Sequence, residues 1–263
     1  MPVSHPPAGS VDVDAPARLV RLNVAVGLLH LAQAAAILII AKPVTLPVDV
    51  SYLTGPPGAG RYGGPANLLN LRIDIAVAMF LALAAVDHLS VAGPGRRWYL
   101  ANVARGVNPA RWWEYSLSAS LMVVLIAMLS GITAASALVA LFGVNAAMVL
   151  FGLLMERVNI GRESVDWRPF IYGCIAGAVP WIAIALQLAV SQANSAGAPP
   201  FVYAIFLTLF VLFNGFALNM WLAYRGRGRW ADPLFVERVY LILSILAKSA
   251  LAWQVYAGAL AGS

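Results

Sequence analysis

Residues 234–260 read LFVERVYLILSILAKSALAWQVYAGAL, and after Arg238 the only charge in this run is Lys248. An unbroken apolar stretch of this length is long enough to cross a bilayer as one helix. It places Lys248 near mid-membrane, where an ammonium costs about 2.5–3.5 kcal/mol on insertion scales. A charge kept at such a cost marks a functional position. A desolvated lysine amine also has a lowered pKa and can condense with an aldehyde.

The rest of the chain agrees with a membrane reading. Of its 263 residues 61% are hydrophobic and only 11% are charged, more apolar surface than a soluble domain of this size can bury. Seven stretches qualify as spans: 18–41, 67–92, 109–132, 134–155, 168–192, 200–224 and 234–261. The third and fourth are joined by a short turn around Gly131. Asn108-Pro109 and Asp232-Pro233 read as cap and first turn of the third and seventh spans, and Pro199-Pro200 opens the sixth. The expected fold is all-α, a bundle of seven transmembrane helices over residues 18–263, preceded by a disordered tail over 1–17 without signal-peptide features. No internal repeat is visible, which argues against inverted-repeat transporters.

The net charge of +6 follows the positive-inside rule and does not indicate nucleic acid. Arg18 and Arg21, Arg96, Arg97, Arg105 and Arg111, Arg157, Arg162 and Arg168, and Arg225, Arg227, Arg229 and Arg238 fall on one side, against Lys42, Arg61 and Arg72 on the other. This places the N-terminus in the cytoplasm and the C-terminus outside, as a multi-pass protein of the cell membrane. The first outer loop, 43–66, is rich in Gly, Pro and Tyr. Its PVDVSYL run is open to two readings, a short β-hairpin or an irregular surface loop. The single cysteine, Cys174, excludes an intrachain disulfide and a cysteine-based metal site.

Glu114 lies more than a turn inside the third span. It reads either as an interfacial carboxylate paired with Arg111 at i−3 or as the anion that a buried cation at Lys248 needs. Asp74, Asp87 and Glu237 are rivals for that role. By helical rise, Glu114 lies roughly 9 Å and Lys248 roughly 21 Å past their caps, a gap that long side chains, tilt and unequal cap depths could close. Ser244 lies one turn before Lys248 and Ser118 one turn after Glu114. Each hydroxyl could serve this pair or bond its own i−4 carbonyl. His30 and His88 fall inside spans and suggest a polar pocket able to take up protons, the alternative being neutral packing residues. No carboxylate or cysteine lies at ligand spacing beside them, so no metal is expected. Trp181 and Phe213, with Met148 and Gly152, are placed to wall a flat apolar ligand.

Two segments carry a family resemblance: NPARWWEYSLSASLM at 108–122 and LSILAKSALAWQVYAG at 243–258. With His30, His88 and FNGFALNMW at 213–221, the chain resembles the heliorhodopsins over nearly its whole length. Microbial pump rhodopsins have the opposite orientation and an Asp four residues before the lysine; here that position is Ser244. The resemblance implies all-trans retinal on Lys248, Glu114 as counterion and Ser244 holding the Schiff base. It also implies a water-containing pocket at His30 and His88 on the cytoplasmic side, and a homodimer. The family mostly behaves as slow photosensors without ion transport, and some viral members move protons. The expectation is therefore a non-enzymatic light receptor whose Schiff-base proton passes into the Glu114–histidine pocket and returns without net transfer. The alternatives are a light-driven or light-gated proton transporter or channel, and a non-photochemical scaffold. Any cytoplasmic signalling partner is unreadable.

Overall fold

The computed structural model describes residues 15–261. The tail expectation for 1–14 lies outside them, and Ala15–Ala17 already belong to the first helix. The elements are α1 (Ala15–Ile40), β1 (Thr45–Leu53), β2 (Tyr62–Arg72), α2 (Ile73–Ala92), α3 (Arg96–Val103), α4 (Pro109–Leu129), α5 (Ala135–Val158), α6 (Arg168–Asn194), α7 (Pro200–Arg225) and α8 (Pro233–Val255). A 3₁₀ turn precedes α8 at Gly228–Ala231, and a wider π turn follows it at Tyr256–Leu260.

Among the described residues, six helices (α1, α2, α4, α5, α6 and α7) are long and apolar enough to cross a membrane. Their outward faces are largely apolar, and side chains such as Ile39, Val139, Ile182 and Leu186 point outward. A contiguous apolar exterior of this kind is untenable in water and natural in lipid. The eighth helix has 23 residues and carries Glu237, Arg238 and Lys248, so it stands apart from those six in polarity. It packs on α7 and α1, while α2, α4, α5 and α6 pack in chain order. Ile37, Phe80, Leu81, Leu125, Ile126, Ile184 and Leu251 fill the space between them.

Two helix starts match the expected caps. The Asn108 side chain accepts from Arg111 N at 3.2 Å, and Asp232 accepts from Leu234 N at 2.9 Å, each followed by proline at the first helical position. The turn between α4 and α5 runs through Gly131 at φ 100°, open to glycine without a Cβ penalty.

Two expectations need correction. Residues 67–72 are not the start of the second span. They belong to β2, which pairs antiparallel with β1 from Thr45↔Arg72 to Leu53↔Tyr62. The run LLNLR is apolar enough to read as membrane, yet its backbone bonds are made across the hairpin. Asp49 N also bonds Thr133 O at 2.9 Å, resting the hairpin on the α4–α5 turn. The second correction is α3, an additional short helix in the loop between the second and third spans. It buries Tyr99 and Val103 and leaves Arg96, Arg97 and Trp98 exposed.

Candidate functional site

Lys248 is 3% exposed, and its Nζ donates to Glu114 Oε2 at 3.2 Å and to Ser244 Oγ at 3.1 Å. The same nitrogen lies 4.6 Å from the Tyr115 ring centroid, a cation–π contact. The axial gap expected between the two residues is closed by two displacements. Asn108, the α4 cap, is buried and donates to Glu237 Oε2 at 3.1 Å, so α4 starts level with the second turn of α8, roughly 5–7 Å deeper than equal caps would put it. The lysine stem then runs back one turn to Ser244, roughly another 5 Å.

The carboxylate rivals are occupied elsewhere or stand apart. Glu114 makes no pair with Arg111. That guanidinium, 4% exposed, forks instead to Glu156 of α5 and Glu237 of α8. Its planar fork can bridge two carboxylates on two helices, which Glu114, one turn further along the same helix, could not match. Asp74 pairs with Arg72 at 2.5 Å. Asp87 makes no ion pair with a described residue. The alternative bonding of Ser244 to its own backbone is not seen; Ser116 does this, donating to Trp113 O at 2.8 Å.

Around the pair lies a set of buried polar atoms with no partner among the described residues: Glu114 Oε1, Ser118 Oγ, both ring nitrogens of His30 and Nε2 of His88. Buried groups of this kind call for ordered water or a ligand. The His30 and His88 rings stack with centroids 5.9 Å apart. His88 Nδ1 is 2.9 Å from Asn23 Oδ1, and Asn23 donates to Tyr99 OH at 3.3 Å. The two histidines are therefore brought together behind Lys248, away from the main cavity.

That cavity, about 380 Å³, is walled by α4 to α8 and ends at Lys248. Met148, Gly152, Trp181 and Phe213 all line it. Trp181 meets Phe206, Phe210 and Phe213 edge-on at centroid distances of 5.7, 5.4 and 5.5 Å. At Gly152 a Cβ would sit 2.4 Å from the Trp112 ring, so only glycine lets that indole form the wall. Tyr115, Trp112 and Phe210 also line the cavity and were not singled out in the sequence. Tyr115 could have been found, since it directly follows Glu114 in a helix whose polar face the lysine must meet.

Together these features define a polytopic membrane protein with a buried amine–carboxylate pair at the head of an aromatic cavity. The chain belongs to the heliorhodopsin family, whose model matches residues 19–260. No curated protein matches it. Membership implies a retinal chromophore and a light-responsive membrane protein. The residues present fit that group. The cavity is apolar and aromatic along its length, and its one amine sits at the end beside a carboxylate with a free oxygen.

Proposed function

We propose that the protein is a light sensor in which Lys248 Nζ binds all-trans retinal, Glu114 is the counterion, and the proton lost from that nitrogen stays within the protein. The observation that carries this reading is the Nζ–Oε2 approach of 3.2 Å at the buried end of the aromatic cavity. Bound retinal supplies visible absorption and light-driven isomerisation. The protein's own groups do the rest. Trp181, Phe213, Met148 and Trp112 hold the ligand flat and exclude water. Ser244 Oγ orients the lysine nitrogen. Glu114 balances its charge, and the proton passes from Nζ toward the unpaired Glu114 oxygen, Ser118 and the stacked histidines, then returns.

Three observations favour sensing over transport. Asp87, Glu114, Glu156 and Glu237 all lie toward the arginine-rich end of the bundle. On the far side of Lys248, α8 offers Gln254, which donates to Thr208 at 3.2 Å. The nearest carboxylate there, Asp74, is held by Arg72. A relay to both faces, which pumping needs, has no carboxylate ladder to run on. With α8 as the seventh span, the arginine-rich end faces the cytoplasm and the N-terminus lies inside. A homodimer in the bilayer completes the reading.

The test is a visible spectrum of the protein expressed with all-trans retinal, before and after hydroxylamine in light. A band that bleaches is expected, and Lys248→Ala should abolish it. A normal pigment in that variant would refute the assignment of Lys248. Light-induced currents under voltage clamp would replace the sensor with a transporter or channel.

A further inference from the structure

We propose that Asp87 holds a proton in the dark and is the group through which the pocket behind Lys248 exchanges protons with the arginine-rich end of the bundle. This rests on the internal proton transfer proposed above. The argument begins with pairing. Within the long helices, Glu114 faces Lys248, Glu156 and Glu237 share Arg111, and Asp74 holds Arg72. Asp87, half-buried in α2, makes no hydrogen bond and no ion pair with any described residue. A carboxylate without a cation in a low-dielectric setting is costly, whereas the neutral acid is cheap.

Its position is the second observation. Asp87 lines a small cavity, separate from the aromatic one. The groups facing it there are Asn23 of α1, its own neighbour His88, Tyr99 of α3, Asn108, Arg111 and Tyr115 of α4, and Glu237 and Tyr240 of α8, with Tyr115 shared between the two cavities and the charges of Glu114 and Lys248 within electrostatic reach. Arg111 is committed to two carboxylates and does not neutralise a third. Glu237, paired with Arg111, sets a second carboxylate beside it, and like charges so placed repel. On one side the cavity reaches His88, whose ring stacks on His30 and whose Nε2 has no partner. On the other it meets Tyr99 and the cap of α4, the end of the bundle where Arg96, Arg97 and Arg105 are exposed.

After the lysine nitrogen has lost its proton, the O–H bond of the Asp87 carboxyl breaks and the proton passes to the histidine pair. An N–H bond forms again at Lys248 from that pocket. The pocket then holds one proton too many, the one that left Lys248, and passes it to the Asp87 carboxylate, whose O–H bond re-forms. Exchange of that carboxyl with bulk water at the arginine-rich end is uptake and release at one face, so nothing crosses the membrane.

The experiment uses the full chain with retinal in lipid nanodiscs. Flash photolysis reads the decay of the deprotonated state, and light-minus-dark infrared spectra read protonated carboxyls. Asp87→Asn should slow that decay on the order of ten-fold or more, the scale of a lost general acid. Azide, a small weak acid that carries protons, should restore the variant and hardly alter the unmodified protein, a rescue that a packing role would not allow. A carboxylic C=O band bleached by light should be missing in the variant. Should Asp87→Asn not assemble, Asp87→Glu takes its place: it keeps the acid one methylene out of position and should alter the decay and shift the infrared band. Unchanged decay together with an unchanged carboxyl band would overturn the role of Asp87 and leave the sensor reading intact. Absence of any deprotonated state in the unmodified protein would overturn the internal transfer, and Asp87 with it.

Discussion

Arg111→Gln should be among the most destabilising single substitutions outside the cavity. The guanidinium is buried, forks to Glu156 and Glu237, and lies 3.9 Å from the Tyr240 ring centroid and 4.7 Å from that of Trp112. Glutamine leaves two buried carboxylates. Their remaining donors are Asn108 N on Glu156 at 2.8 Å and Asn108 Nδ2 on Glu237 at 3.1 Å. Removing one partner of a buried pair costs about 3–5 kcal/mol. Two lost charge-assisted bonds at about 1.5–3 kcal/mol each reach a similar figure. At about 2–4 °C per kcal/mol for a chain of this size, thermal unfolding should fall by roughly 6–20 °C. The assay is thermal loss of helical circular dichroism in detergent. The decisive comparison is a triple variant, Arg111→Met with Glu156→Gln and Glu237→Gln, which removes every charge at once and should recover most of the loss. A single variant within about 2 °C of the unmodified protein, or a triple variant no more stable than the single, would refute the reasoning.

Glu114→Gln should shift the visible band to the red, because a negative charge 3.2 Å from the lysine nitrogen stabilises the ground state more than the excited state. An unshifted spectrum would refute Glu114 as the counterion. Gly152→Ala forces the Trp112 indole from its place in the cavity wall, since the new Cβ would lie 2.4 Å from it. A loss of about 1–3 kcal/mol is expected in thermal bleaching of the pigment, and unchanged bleaching would show that the wall yields freely. Asp166, in the loop before α6, is held down to about 2 by hydrogen bonds from Arg168. Its folded value lies below the unfolded one, so its contribution is present above the usual carboxylate range and lost as pH falls through about 2. An infrared titration that finds Asp166 at an ordinary carboxylate value would show that the loop pair does not persist in solution.

Much of the site was legible because membrane helices make charge conspicuous. In an apolar run a lone lysine, a glutamate beyond the first turn and two histidines stand out, since each costs free energy that only a partner or a function offsets. Sequence could bring Lys248 and Glu114 onto facing helices but not to one depth. Their axial match depends on where Asn108 docks against Glu237, 129 residues away, and on a lysine stem that folds back on its own helix. The partners of the arginine stay hidden for a related reason. Its local neighbour at i+3 is one open reading in the sequence, while the partners that win are 45 and 126 residues distant and become visible only once α4, α5 and α8 converge. The hairpin shows the opposite failure. Residues 67–72 carry enough apolar side chains for a span, and only backbone pairing with 45–53 decides that they are a strand. Composition thus reports the cost of burying a group, whereas its pairing is set by long-range geometry. Asp87 lies where these two kinds of information part: it bears the cost of its place in α2, and no described cation forms an ion pair with it.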